Sequence, residues 1–157
     1  MSFSTFSGPI RVGTIREGAA ENTGLVVLGQ SYDSGDITGA VTGNYDVAAF
    51  ILPQGSQIVD IVVDQVVAAT AGTTTISVGT ASGGAQLMAA VATTAGGRFR
   101  GTATAATQLA WQTSTTADTV VYIRDVVGTA TLTAGRFIVT IQYIQRANNG
   151  AQNPVSA

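Results

Sequence analysis

In 157 residues the chain has no histidine, no cysteine and no lysine. Each absence removes a class of chemistry. Histidine is the usual proton shuttle near neutral pH. Cysteine and lysine are the common covalent nucleophiles besides serine and threonine, and the many Ser and Thr here have no imidazole to activate them. Cys and His are also the usual ligands of zinc. No disulfide is possible, which fits folding in a reducing compartment. Charge is scarce too: seven Arg face nine Asp plus Glu, for a net charge of −2, and charged residues are 10% of the chain against a typical quarter. A nucleic-acid partner is not expected, because phosphate binding needs a basic face. No run of about 18 apolar residues exists, so no membrane-spanning helix is expected. Met1–Phe6 has neither a basic nor an apolar region and does not read as a signal peptide. No cofactor and no metal are expected.

The surface must therefore be built from Thr, Ser, Gln, Asn and Gly. A chain of this length is expected to form one domain that buries roughly 70% of its unfolded surface.

Helix signals are nearly absent, whereas strand signals recur between Gly-rich breaks. In residues 57–67, Val59, Ile61, Val63 and Val67 are assigned to one face, Asp60 and Asp64 to the other. From Gly135 onward, Phe137, Val139, Ile141 and Tyr143 alternate with a half-polar set, Ile138, Thr140, Gln142 and Ile144. Further strands are expected over Tyr45–Leu52 (closed by Pro53 and Gly55), Thr73–Val78, Gln108–Thr113 with Leu109 and Trp111 inward, and Thr119–Arg124 with Val121 and Ile123 inward. Ala85–Val91 reads as a helical turn or a weak strand. Thr-Ala-Gly recurs at 70–72, 94–96 and 133–135 with unequal spacing, so it reads as turn punctuation rather than a repeat. Short strands at this spacing predict an all-β fold, an antiparallel β-sandwich. Residues 1–44 read as an extended N-terminal arm with one or two short strands, 45–146 as the sandwich body, and 147–157 as a flexible tail.

The search for chemistry returns little. Asp60 and Asp64 share a strand face roughly 13 Å apart at the usual rise, whereas glycosidase carboxylates stand about 5–9.5 Å apart. Asp33-Ser-Gly-Asp36 has a faint look of a cation loop, but the closing Glu of an EF-hand is missing. A plain Asx-type turn is the favoured reading. Arg98-Phe99-Arg100 is a lone basic triplet and reads as a surface turn or an intersubunit contact. Trp111 reads as a core residue rather than a sugar platform. No phosphate-binding glycine loop is present. The chain is not expected to be an enzyme.

Thr5-Phe6-Ser7-Gly8-Pro9-Ile10-Arg11-Val12-Gly13-Thr14-Ile15 resembles the opening of a set of tailed-phage virion proteins, which continue into a segment like Gly24–Ser31. Leu52-Pro53-Gln54-Gly55-Ser56-Gln57-Ile58 resembles the entry into a sandwich strand of phage head proteins, and Ile76–Ala81 follows in the expected order. The resemblance implies a capsid decoration, or cement, protein with a jelly-roll-like sandwich. Such a protein is made in the host cytoplasm, sits on the virion's capsid surface, binds the major capsid protein and stiffens the shell, commonly as a homotrimer. No catalytic residues come with it. Phe3, Phe6, Pro9, Ile10 and Arg11 of the arm are then the candidate capsid contacts. A phage tail, neck or fibre component with a host-surface binding role is the alternative, and a β-sandwich binding module outside phages is a third.

Overall fold

The computed structural model of the protein describes residues 27–70, 74–101, 105–112 and 117–145. Eight strands and one short helix follow in the order β1 (Val27–Asp33), β2 (Gly43–Leu52), β3 (Ser56–Val67), β4 (Thr74–Gly79), β5 (Met88–Ala92), β6 (Gly97–Arg100), α1 (Ala105–Gln112), β7 (Thr119–Val127) and β8 (Arg136–Gln145). They form two four-stranded sheets, β1-β8-β3-β6 and β2-β7-β4-β5, and every pairing is antiparallel. The first strand pairs with the last, the second with the second-last, the third with the sixth and the fourth with the fifth. A long hairpin rolled up in this way is an eight-stranded jelly roll. The expected all-β antiparallel sandwich is what the chain forms. β1 is bonded to β8 along its whole length.

The core follows from two-residue periodicity. On β8, Phe137, Val139, Ile141 and Tyr143 point inward and are at most 6% exposed. They meet Ile61 and Val63 of their own sheet and Phe50, Leu52, Ile76, Val78, Val121 and Ile123 of the other. Burying each aliphatic side chain contributes about 1.5–3 kcal/mol, which suffices here without any cross-link.

Two departures from regular pairing change the assignments made from sequence. The β3–β8 register slips between Ile58 and Asp60 and again between Gln65 and Val67. These are β-bulges, each of which reverses the side-chain alternation. Val59 and Val67, assigned to the core face, are therefore 46% and 42% exposed, and Ile58 packs against the core instead. At the second bulge the Gln65 amide donates to the Val67 carbonyl at 2.7 Å.

Within the segment expected as a strand over Gln108–Thr113, residues 108–112 are helical instead: residues 105–112 form α1. Leu109 faces solvent at 69% exposure, while Trp111 is half-buried against the core and donates its indole N–H to the Leu87 carbonyl at 2.7 Å. Ala105, Ala106, Leu109 and Ala110 favour helix, and tertiary packing of one tryptophan holds so short a helix in place. Of Ala85–Val91, the part from Met88 onward is strand, as β5.

The β2–β3 connection is a tight turn, with Ser56 N–H bonded to the Pro53 carbonyl at 3.1 Å. Gly55 occupies its third position at φ 82°, the left-handed conformation that a type II turn demands. Across the open edge between the sheets, the Gln30 amide of β1 donates to the Ile51 carbonyl at 2.7 Å and accepts from the Ile51 N–H at 3.3 Å. One side chain thereby stands in for a neighbouring strand at an edge that would otherwise expose both groups.

Candidate functional site

The arm residues singled out from sequence, Phe3, Phe6, Pro9, Ile10 and Arg11, lie outside the described residues. Three regions of the sandwich remain as candidates: its two outer faces and one cavity.

The outer face of the first sheet carries three ion pairs. Arg98 of β6 grips Asp64 of β3 through two hydrogen bonds, 2.6 and 3.1 Å. Arg100 approaches Asp60 at 3.6 Å. Arg136 of β8 holds Asp33 of β1 with bonds of 3.1 and 2.6 Å. The basic triplet is thus a strand rather than a turn, and its arginines answer the two aspartates that the sequence places on the wet face of β3. These pairs are exposed, so they add little stability, but they leave the face with balanced charge.

The outer face of the second sheet carries an aliphatic pair and an ion pair. Ile51 and Val120 are directly opposed across β2 and β7 and are 58% and 38% exposed. The outward-facing charge on these two strands is the Asp46–Arg124 pair, 3.6 Å apart. Arg124 also donates to the Gly83 carbonyl at 2.9 Å, and Asp46 accepts from the Ser82 hydroxyl at 3.0 Å.

The cavity, of about 460 Å³, opens at one end between the sheets. Ile123 and Phe137 form its apolar depth, and Thr38, Gly39 and Tyr45 stand exposed at its rim. One wall is the β1–β2 loop. The Asp33 carboxylate accepts from the Gly35 N–H at 2.9 Å, and Asp36 accepts from the Thr38 N–H and hydroxyl at 2.9 and 2.6 Å. These are Asx turns, as the simpler reading of Asp33–Asp36 has it. The Arg136 guanidinium, helped by the Gly35 N–H, holds the Asp33 carboxyl down to about 2. The Thr38 hydroxyl and N–H lower that of Asp36. Backbone bonds from Ser34, Ile37 and Gly39 to Phe137, Gly135 and Leu132 fix the loop against the entry to β8. Beneath it Ala69, Val127 and Leu132 make a second small core.

Asp125 of β7 also lines this cavity. It is 7% exposed, its Oδ1 has no hydrogen-bond partner, and burial raises its carboxyl to about 6. The strand expected from sequence ends at Arg124, three residues short of the end of β7. Continuing the inward series Val121, Ile123 by two more positions reaches Asp125 and then Val127, both buried, so the signal was in the alternation. Among the described residues no group of three or more His, Cys, Asp or Glu is placed to hold a metal, and no helix is long and apolar enough to cross a membrane.

Fold and faces together define a compact jelly roll whose polar residues are spent on surface pairing and on one cavity. The same fold occurs in chains of phage capsid structures. The capsid of Ralstonia phage GP4 contains a chain that is 24% identical, with a TM-score of 0.62 over 85% of this chain and 93% of that one. The capsid asymmetric unit of cyanophage Pam1 contains one at 21% identity and TM-score 0.55, over 90% and 98%. The acid-stable capsid of Helicobacter pylori bacteriophage KHP30 contains another at 16% and 0.51, over 78% and 95%. No protein-family model and no curated protein sequence matches the chain.

Proposed function

We propose that the chain is a structural virion protein that binds the outside of a phage capsid and stabilises the shell, a decoration or cement protein with no catalytic role and no cofactor. The observation that carries this reading is the mutual coverage of the fold matches. Chains found in three phage capsid structures are spanned over 93%, 98% and 95% of their own length, so each is little more than one such sandwich. A rigid, nearly neutral sandwich suits dense packing on a symmetric shell, where many identical weak contacts add up by avidity. The partner is the major capsid protein, and the expected assembly is a homotrimer at three-fold positions. The arm, through Phe3, Phe6, Pro9, Ile10 and Arg11, supplies contact area without needing a core of its own.

The test is the copy number of the chain in purified virions relative to the major capsid protein. One copy per capsid subunit, or one trimer per three-fold site, is the expected result. A handful of copies would instead place it in the tail, neck or fibre, and absence from virions would sink the proposal.

A further inference from the structure

We infer that the cavity between the sheets is a binding site for a single cationic group on a short apolar stem, a guanidinium or ammonium, with Asp125 as its counter-ion. Three observations converge on it. First, Asp125 lines the cavity with a carboxyl that is 7% exposed and whose sealed Oδ1 has no hydrogen-bond partner, so its charge is costly unless a counter-charge reaches the rest of the group. Second, the chain does not supply that charge from its described arginines. Arg98, Arg100, Arg124 and Arg136 are each committed to another aspartate. Arg124 adjoins Asp125 in sequence, but alternation along β7 turns it to the opposite face, where it meets Asp46. Third, the remaining wall suits a cation with an alkyl stem. Ile37, Val47 and Ile123 line it with the rings of Tyr32, Tyr45 and Phe137, and aromatic faces attract cations that have left water. A volume of about 460 Å³ lies within the range of small-molecule sites.

The group has two conceivable sources, a free alkyl amine or guanidine and a basic side chain of a neighbouring protein. Both present the same chemistry to Asp125. The site stands independently of the virion reading.

The experiment titrates the full chain with n-butylguanidinium, with its uncharged analogue n-butylurea, and with N-acetyl-arginine methylamide, following the amide resonances of Ile123, Asp125 and Phe137. The expected result is at least tenfold tighter binding of butylguanidinium than of butylurea, lost in Asp125→Asn. The variant removes the charge and keeps the shape, and retention of its dispersed spectrum checks the fold. In the wild type the preference should also fade as pH falls through about 6, where the carboxyl protonates; the other titratable groups lining the cavity are the phenols of Tyr32 and Tyr45. Binding of the arginine derivative as well would assign the site to a protein side chain, and binding of butylguanidinium alone to a small molecule. Equal affinity for the charged and uncharged probes, or an unchanged preference in Asp125→Asn, would overturn the inference.

Discussion

Asp125 and Asp33 are carboxylates at the same end of the sandwich with opposite electrostatic fates. Asp33 lies on the surface in the fork of Arg136, and its lowered pKa means that it favours the folded state above the ordinary value of 3.8. That contribution disappears as pH falls toward about 2. Asp125 runs the other way. Its folded pKa of about 6 lies above 3.8, so the folded protein binds the proton more tightly than the unfolded chain does. Stability contributed by the protonated form is therefore present below about 4 and is lost as pH rises through about 6, by on the order of 2–3 kcal/mol. Asp125→Asn should be more stable than the wild type at pH 8 by about this amount, and the gap should close at pH 4. Urea denaturation of both proteins at the two pH values checks this, and a gap that does not depend on pH would show that the carboxylate is not desolvated. A residue that destabilises its own fold in this way is a sign of a site kept for binding.

At the scale of the element, α1 is a helix of eight residues that depends on one anchor. Trp111→Ala should cost about 2–3 kcal/mol, below the roughly 3–5 kcal/mol of a fully buried aromatic because the ring is only half-buried. It also leaves the Leu87 carbonyl without its indole donor. Leu109→Ala, two positions away and exposed, should change stability by less than about 0.5 kcal/mol. Equal effects in denaturant titrations would return Leu109 to the core, where sequence alternation had placed it. The contrast explains what was legible in the sequence. β8 and β7 run without interruption, so parity alone identifies Phe137, Val139, Ile141, Val121 and Ile123 as core. β3 contains two bulges, and nothing local in the sequence marks them: they are set by register with β8, so Val59 and Val67 are misassigned while Ile61 and Val63 are not. α1 alternates over too few residues to distinguish a period of 2 from one of 3.6. The cavity was illegible because its walls come from β1, the β1–β2 loop, β2, β7 and β8, a meeting that only the topology creates. The ion pairs of β3 with β6 were half visible, as two aspartates on one face and two arginines flanking a phenylalanine, without any sign that they belonged together.

At the scale of the whole molecule, both sheets combine paired charge with exposed aliphatics: three Arg–Asp pairs with Val59 and Val67 on the first, and the Asp46–Arg124 pair with Ile51 and Val120 on the second. Exposed aliphatic pairs are ordinary on any protein, so on the proposed function the arm is expected to dominate attachment. Deleting residues 1–10 should leave the sandwich folded, as judged by its circular dichroism and melting temperature, and lower occupancy on capsids at least tenfold. Wild-type occupancy by the truncated chain would mean that the sandwich faces carry the binding and that Phe3, Phe6, Pro9 and Ile10 do not.

The nested pairing of strands also has a consequence in time. β8 lies between β1 and β3, so the first sheet has no centre until β8, the last of the described strands, has been made. Every other strand is then already waiting, and β1 in particular must hold its place across more than a hundred residues before its partner arrives. Contacts so distant in sequence form slowly because loop-closure entropy is spent first. The same late event brings Phe137 opposite Ile123 and Asp125 and so completes the cavity. During synthesis the proposed cation site and the first sheet therefore come into being together, with β8.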